Sequence, residues 1–151
     1  MKIEYQIQGS AELLAKLKAL GGDVDKAVEQ GLMQGAKAVQ AVAKQLCPVD
    51  TGQLRNSIAT EKEDRMAVSI GTITEYAACV EFGTGSKGDP AVSHTSKEKW
   101  VYRDDNGKFH TSRGQKPQPF LTPALRLSEN TVRKRFETAI KKAIRERSTG
   151  K

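Results

Sequence analysis

Gly83, Gly85 and Gly88, within EFGTGSKGDP, reproduce the G-x-G-x-x-G spacing of a dinucleotide-binding loop. Such a loop works when a buried parallel strand delivers the chain to a tight turn and a helix follows at once, aiming its N–H groups at a pyrophosphate. Here the preceding YAACVEF has no Val/Ile-rich run and sets Glu81 next to the turn. Asp89-Pro90 could open a helix, but AVSHTSKEKW shows no sustained three-four apolar stripe. Lys87 is not followed by Ser or Thr at the end of a G-x-x-x-x-G-K run, so a Walker loop is excluded. Letters without strand and helix are a weak signal. We read the glycines as backbone devices that permit positive φ or close approach where the chain leaves a helix and turns sharply. They are expected to form a hinge.

Other chemistry is thinner still. H-E-x-x-H and G-x-S-x-G are absent, and Asp50 and Glu81 are the carboxylates of the best-structured loops, a poor basis for an acid/base couple. His94 and His110 stand apart in polar context, with no cysteine or carboxylate at zinc-ligand spacing. Cys47 and Cys79 belong to no C-x-x-C pair and are expected to be two buried or half-buried free thiols. The sequence thus offers no catalytic residue, metal site or cofactor site, and no cofactor is expected.

The elements that must position these residues are more legible. KIEYQIQ alternates Ile3, Tyr5 and Ile7 with polar residues, as a half-buried strand does; Ser10 then caps a short helix through Leu13, Leu14, Leu17 and Leu20. Asp23 caps a longer helix with Val24, Val28, Leu32, Ala36, Val39, Ala43 and Leu46 on one face, ended by Pro48. Small residues crowd that stripe, among them Ala27, Gly31, Gly35 and Ala38. They admit close approach, either by the chain's own core or by a neighbouring copy. Strands are expected at Ser57–Lys62 and Met66–Gly71, a hairpin facing inward through Ile58, Val68 and Ile70. A short helix over YAACVEF has Thr74 as cap and Gly83 as stop. In the long polar segment 84–118, Asn106-Gly107 between two aromatic-bearing runs predicts a β-hairpin arm carrying Trp100, Tyr102 and Phe109. Thr122 as N-cap and Pro123 at the first position start a last helix with Leu125, Val132, Phe136, Ile140 and Ile144 on one face. The expected fold is α+β: a small, mainly antiparallel sheet packed on a long central helix and a C-terminal helix, with an inserted arm, in a single domain over residues 1–151.

Composition adds two constraints. Hydrophobic residues make up 37% and mean hydropathy is −0.56, which predicts a thin core or surface buried only on assembly. Of the net charge of +7, almost all is C-terminal: residues 126–151 hold nine basic against three acidic residues, and residues 1–125 hold 16 against 15. Arg133, Lys134, Arg135, Lys141, Lys142, Arg145 and Arg147 fall on the helix face opposite the apolar stripe. No run approaches the ~20 apolar residues of a membrane span. The start MKIEYQIQGS lacks the apolar run of a signal peptide, which predicts a protein that stays inside the cell that makes it, with no membrane partner.

Three blocks in order then carry a resemblance: CPVDTGQLRNSI, YAACVEFGTG and QPFLTPAL. Pro48 to Ile58, Tyr76 to Thr84 and Pro117 to Ala124 resemble the motifs of the head–tail joining, or tail-completion, proteins of long-tailed bacteriophages, the group that includes the lambda minor tail protein Z. The resemblance implies a non-enzymatic virion component that completes the tail and joins it to the filled head. It implies a ring of copies around the DNA channel, a hexamer matching the tail tube. Its partners would be the tail terminator or tube, the head-completion or connector ring and, non-specifically, genomic DNA. It would assemble in the host cytoplasm and then reside in the virion neck. On this reading Tyr76, Phe82, Gly83, Thr84, Gly85, Trp100, Tyr102, Phe109 and Phe120 are candidates for subunit or partner contacts. Phe82 and Phe120 are each either core residues or anchors in a neighbour's pocket. Arg133, Lys134, Lys141, Lys142 and Arg145 are candidates to face channel DNA or an acidic partner. The alternative is a small nucleic-acid-binding domain that uses the C-terminal helix.

Overall fold

The order along the chain is β1 (Lys2–Glu4), α1 (Val24–Leu46), α2 (Gln53–Ser57), β2 (Ala59–Asp64), β3 (Ala67–Gly71), α3 (Ala77–Phe82), β4 (Trp100–Arg103), β5 (Phe109–Ser112) and α4 (Leu121–Ser148). The computed structural model describes residues 2–4, 15, 24–64, 67–92, 99–104 and 106–149. The predicted Ser10-capped helix, the Asp23 cap, Tyr5, Ile7 and His94 lie outside the described residues. The fold is α+β, as the periodicities indicate.

Helix α1 is the hub. Its exposed side narrows to Lys26, Gln30, Gln34, Lys37, Ala41 and Gln45, recurring at three and four, so most of its circumference is covered. One side meets an antiparallel sheet of order β1-β3-β2. The central strand β3 buries Val68 and Ile70 against the helix, and Ile58 joins them just before β2. Edge strand β2 is mostly exposed, is broken by a register shift between Lys62 and Asp64, and is tied to α1 by Lys62–Glu29 at 2.7 Å. Gln40 Nε2 also donates to the Ile58 carbonyl at 2.8 Å.

The other side of α1 meets α4. A Cβ built on Gly35 would lie 2.9 Å from Val132 Cγ1, and one on Gly31 would lie 3.0 Å from Phe136 Cδ2 and 3.2 Å from Ala139 Cβ. Since Gly35 faces Val132 and Gly31 faces Phe136, the helices run antiparallel. The small residues are therefore filled from within this chain, by α4. Leu121, Ala124, Val132 and Ile140 are buried in the seam, and each such side chain removed from water contributes about 1.5–3 kcal/mol if Leu- or Val-sized. Ile144, expected in the same stripe, is exposed because the stripe by then has come level with the first turn of α1.

Several boundaries differ from the expectation. Gln53–Ser57, read partly as strand, is one helical turn: Gly52 enters it at φ 83°, Leu54 is buried, and Ser57 Oγ returns to the Leu54 carbonyl at 2.8 Å. Strand β2 begins only at Ala59. Helix α4 starts at Leu121, so Thr122 is not its cap and Pro123 is its third residue.

Candidate functional site

Helix α3 is six residues long and buries Ala77 and Glu81, one turn apart. Tyr76, not Thr74, is its N-cap; Thr74 contributes its backbone carbonyl, which accepts from Ala77 N–H at 3.1 Å. Gly83 ends the helix at φ 74°, and Gly85 at φ 60° opens a single 3-10 turn, Gly85–Lys87. The fingerprint glycines are thus entered from a helix, and the strand that a nucleotide loop requires is not there.

What the glycines do is hold two chain segments together. Residues 113–118 run back beside α3 and the turn: Thr84 N–H donates to Gln115 O at 3.0 Å, Gln115 N–H to Thr84 Oγ1 at 3.2 Å and Ser86 Oγ to Arg113 O at 3.3 Å. Gln118 N–H and the Gln115 amide reach the Val80 and Cys79 carbonyls, satisfying acceptors that the end of α3 leaves free. The approach leaves no room for side chains. A Cβ on Gly114 would sit 1.9 Å from Thr84 O, and one on Gly83 2.6 Å from Gln115 O. Trp100 closes over Gly85, its Cζ3 3.1 Å from where a Cβ would stand. This clasp is the base from which β4 and β5 leave the body.

Beside it lies the contact that joins the second and third sequence blocks. Glu81 is only 1% exposed. Its Oε2 accepts from Phe120 N–H at 2.7 Å and Leu121 N–H at 2.9 Å; its Oε1 accepts from Thr122 N–H at 2.8 Å. A helix leaves its first four N–H groups without partners. Here three go to one carboxyl group and the fourth position is Pro123, which has no N–H to satisfy. Negative charge at a helix N-terminus is also favoured by the helix dipole. Glu81 is therefore the cap of α4, supplied from α3. Asp50, by contrast, is exposed, so the two carboxylates do not share a site.

Residues 11–83 match the family model described as "Bacteriophage HK97-gp10, putative tail-component". Over that span the chain is similar to a phage tail-related structural family. Comparison with curated proteins and with solved structures gives no match. The tail-component match takes in the first block and all but the end of the second, and stops at Gly83, inside the clasp. The third block lies beyond it, yet the Glu81 carboxyl binds it directly. No helix among the described residues is long and apolar enough to cross a membrane.

The expected contact residues divide by position. Gly83, Thr84, Gly85 and Trp100 come together in the clasp. Phe120 is fully buried in this chain's own core, and Phe82, the last residue of α3, is half-buried. Tyr76 stands exposed at the opposite end of α3. Tyr102 and Phe109 fall on different faces of the hairpin, because the pairs are Tyr102↔His110 and Arg103↔Phe109. Arg133, Lys134, Lys141, Lys142 and Arg145 are all exposed along α4. Cys47 is buried, and burial pushes its thiol up despite the nearby Arg55; Cys79 is exposed, against the expectation, because it sits on the outer side of a helix one and a half turns long. Sequence reading missed Gly114, Val101 and Ile73. The alternation of Val101 with Arg103 was available as a signal; no pattern marks Ile73, which is 94% exposed.

Proposed function

We propose that this chain completes the phage tail and joins it to the filled head, as a ring subunit around the DNA channel, with sixfold symmetry to match the tail tube. The observation that carries the reading is the match of residues 11–83 to a tail-component family, with the third block locked to that segment by Glu81. A hairpin standing on a rigid clasp suits reaching a neighbour, and closed heterologous contacts generate rings. The exposed cations of α4 would face channel DNA or an acidic neighbouring ring, after assembly in the host cytoplasm. The test is a phage lacking this chain. It should accumulate filled heads and finished tails that remain separate, and added protein should join them. Joined particles formed without it would overturn the role; a species that stays monomeric beside tail tubes and portal-side rings would overturn the ring.

A further inference from the structure

Two apolar patches of opposite charge stand at opposite ends of α3. On the hairpin, the register Val101↔Thr111 and Arg103↔Phe109 puts these four side chains on one face, while Trp100, Tyr102, His110 and Ser112 share the other. The second face is partly occupied: Trp100 covers Gly85, and Tyr102, itself 51% exposed, stacks on His110 with ring centroids 5.5 Å apart. On the first face Val101 is 62% and Phe109 71% exposed, with the Arg103 guanidinium 5.9 Å above the Phe109 ring. A two-stranded hairpin is marginal unless something covers its apolar face.

The second patch is the loop before α3. Ser57 Oγ bonds to both Thr72 Oγ1 at 2.5 Å and Thr74 Oγ1 at 2.7 Å, and Thr74 N–H returns to Thr72 Oγ1 at 3.1 Å. These bonds pin the two residues that flank Ile73 and leave its side chain outside. Exposed Glu75 and Tyr76 follow directly.

We propose that the Val101–Arg103–Phe109 face of one copy docks on the Ile73–Glu75–Tyr76 loop of a second copy of this chain. The apolar groups cover one another, and Arg103, with exposed Lys99 two residues before Val101, meets Glu75. The surfaces differ and do not overlap, so the contact is head-to-tail and every open assembly keeps one free surface of each kind, at its two ends, until it closes. This inference rests on the self-association proposed above and names its interface.

The full chain would be followed by native mass spectrometry and light scattering across concentration, alone and with tail tubes. Arg103→Glu and Glu75→Arg should each weaken self-association about tenfold or more, and the double variant should regain most of it, because the pair is restored with its sign reversed. Ile73→Ser and Phe109→Ser should abolish assembly while far-UV circular dichroism and the unfolding midpoint of the dilute protein stay unchanged. Assembly of all four single variants at wild-type strength would overturn this interface and leave the ring standing. Loss of tail-tube binding with self-association intact would also overturn it, assigning the patches to another tail protein. A wild-type chain that never self-associates, even on tail tubes, would overturn both.

Discussion

Glu81→Ala would leave the N–H groups of Phe120, Leu121 and Thr122 without their acceptor in a site closed to water. Hydrogen bonds to a charged group are worth more than neutral ones, and an abandoned buried donor costs its full desolvation. The expected loss is about 3–5 kcal/mol, read as a fall in the urea midpoint with unchanged slope. Glu81→Gln keeps one accepting oxygen but turns an NH2 group toward N–H donors, so about half that loss is expected. The two variants separate this cap from simple packing, since glutamine conserves volume. Equal stability of Glu81→Gln and wild type would show that the charge and second oxygen are unimportant.

Among the elements, the α1–α4 seam makes a prediction whose sign depends on one neighbour. Gly35→Ala gains roughly 1 kcal/mol of helix propensity, but its Cβ would press on Val132 Cγ1, and overpacking costs about 1–3 kcal/mol. Alone, the substitution should destabilise; in a Val132→Ala background it should stabilise relative to that background. Thermal unfolding of the double-mutant cycle reads the coupling. The hairpin gives a second prediction, in pH. Asp104 Oδ2 meets His110 Nε2 at 2.8 Å, and its Oδ1 accepts from Asn106 and Lys108 N–H at 3.0 and 2.8 Å. The His110 contact first, then these backbone bonds, hold its carboxyl below the usual aspartate range. A depressed carboxyl stabilises the fold above its unfolded pKa and ceases to as pH falls through the folded one. The turn should thus be intact at neutral pH and loosen only under acid, seen as loss of amide-exchange protection at Lys108; Asp104→Asn should loosen it at every pH. Such elements are legible in sequence because their signals are local: the three-four stripes of α1 and α4, and Asn106-Gly107 in the arm. The Glu81 cap was not, because its partners lie about forty positions later and only the tertiary fold brings them together. For the same reason Gly31 and Gly35 showed that something must come close, without showing that it would be Val132 and Phe136.

At the scale of the molecule the charge asymmetry separates a joining protein from a dedicated DNA binder. The basic face of α4 is exposed, but Arg133, Lys141 and Lys142 each have a carboxylate one turn away, at 3.7, 3.6 and 3.8 Å from Glu129, Glu137 and Glu146. Arg135 is bonded to the Gln34 carbonyl at 3.0 Å. Exposed pairs of this kind are weak and do not remove the cations, yet they lower the potential that phosphates would meet. Lys134 and Arg145 remain the more open contributors. Duplex binding should therefore be sequence-blind, with a dissociation constant in the range of about 10⁻⁴–10⁻⁶ M at physiological salt. If about four phosphates are neutralised, log K should fall against log salt with a slope near −4, and Lys134→Glu with Arg145→Glu should flatten it by about 2. Filter binding of short duplexes from low to moderate salt measures both. Nanomolar binding that prefers one sequence would instead mean that α4 is a dedicated nucleic-acid surface, and that the chain's principal partner is DNA and not its own copies.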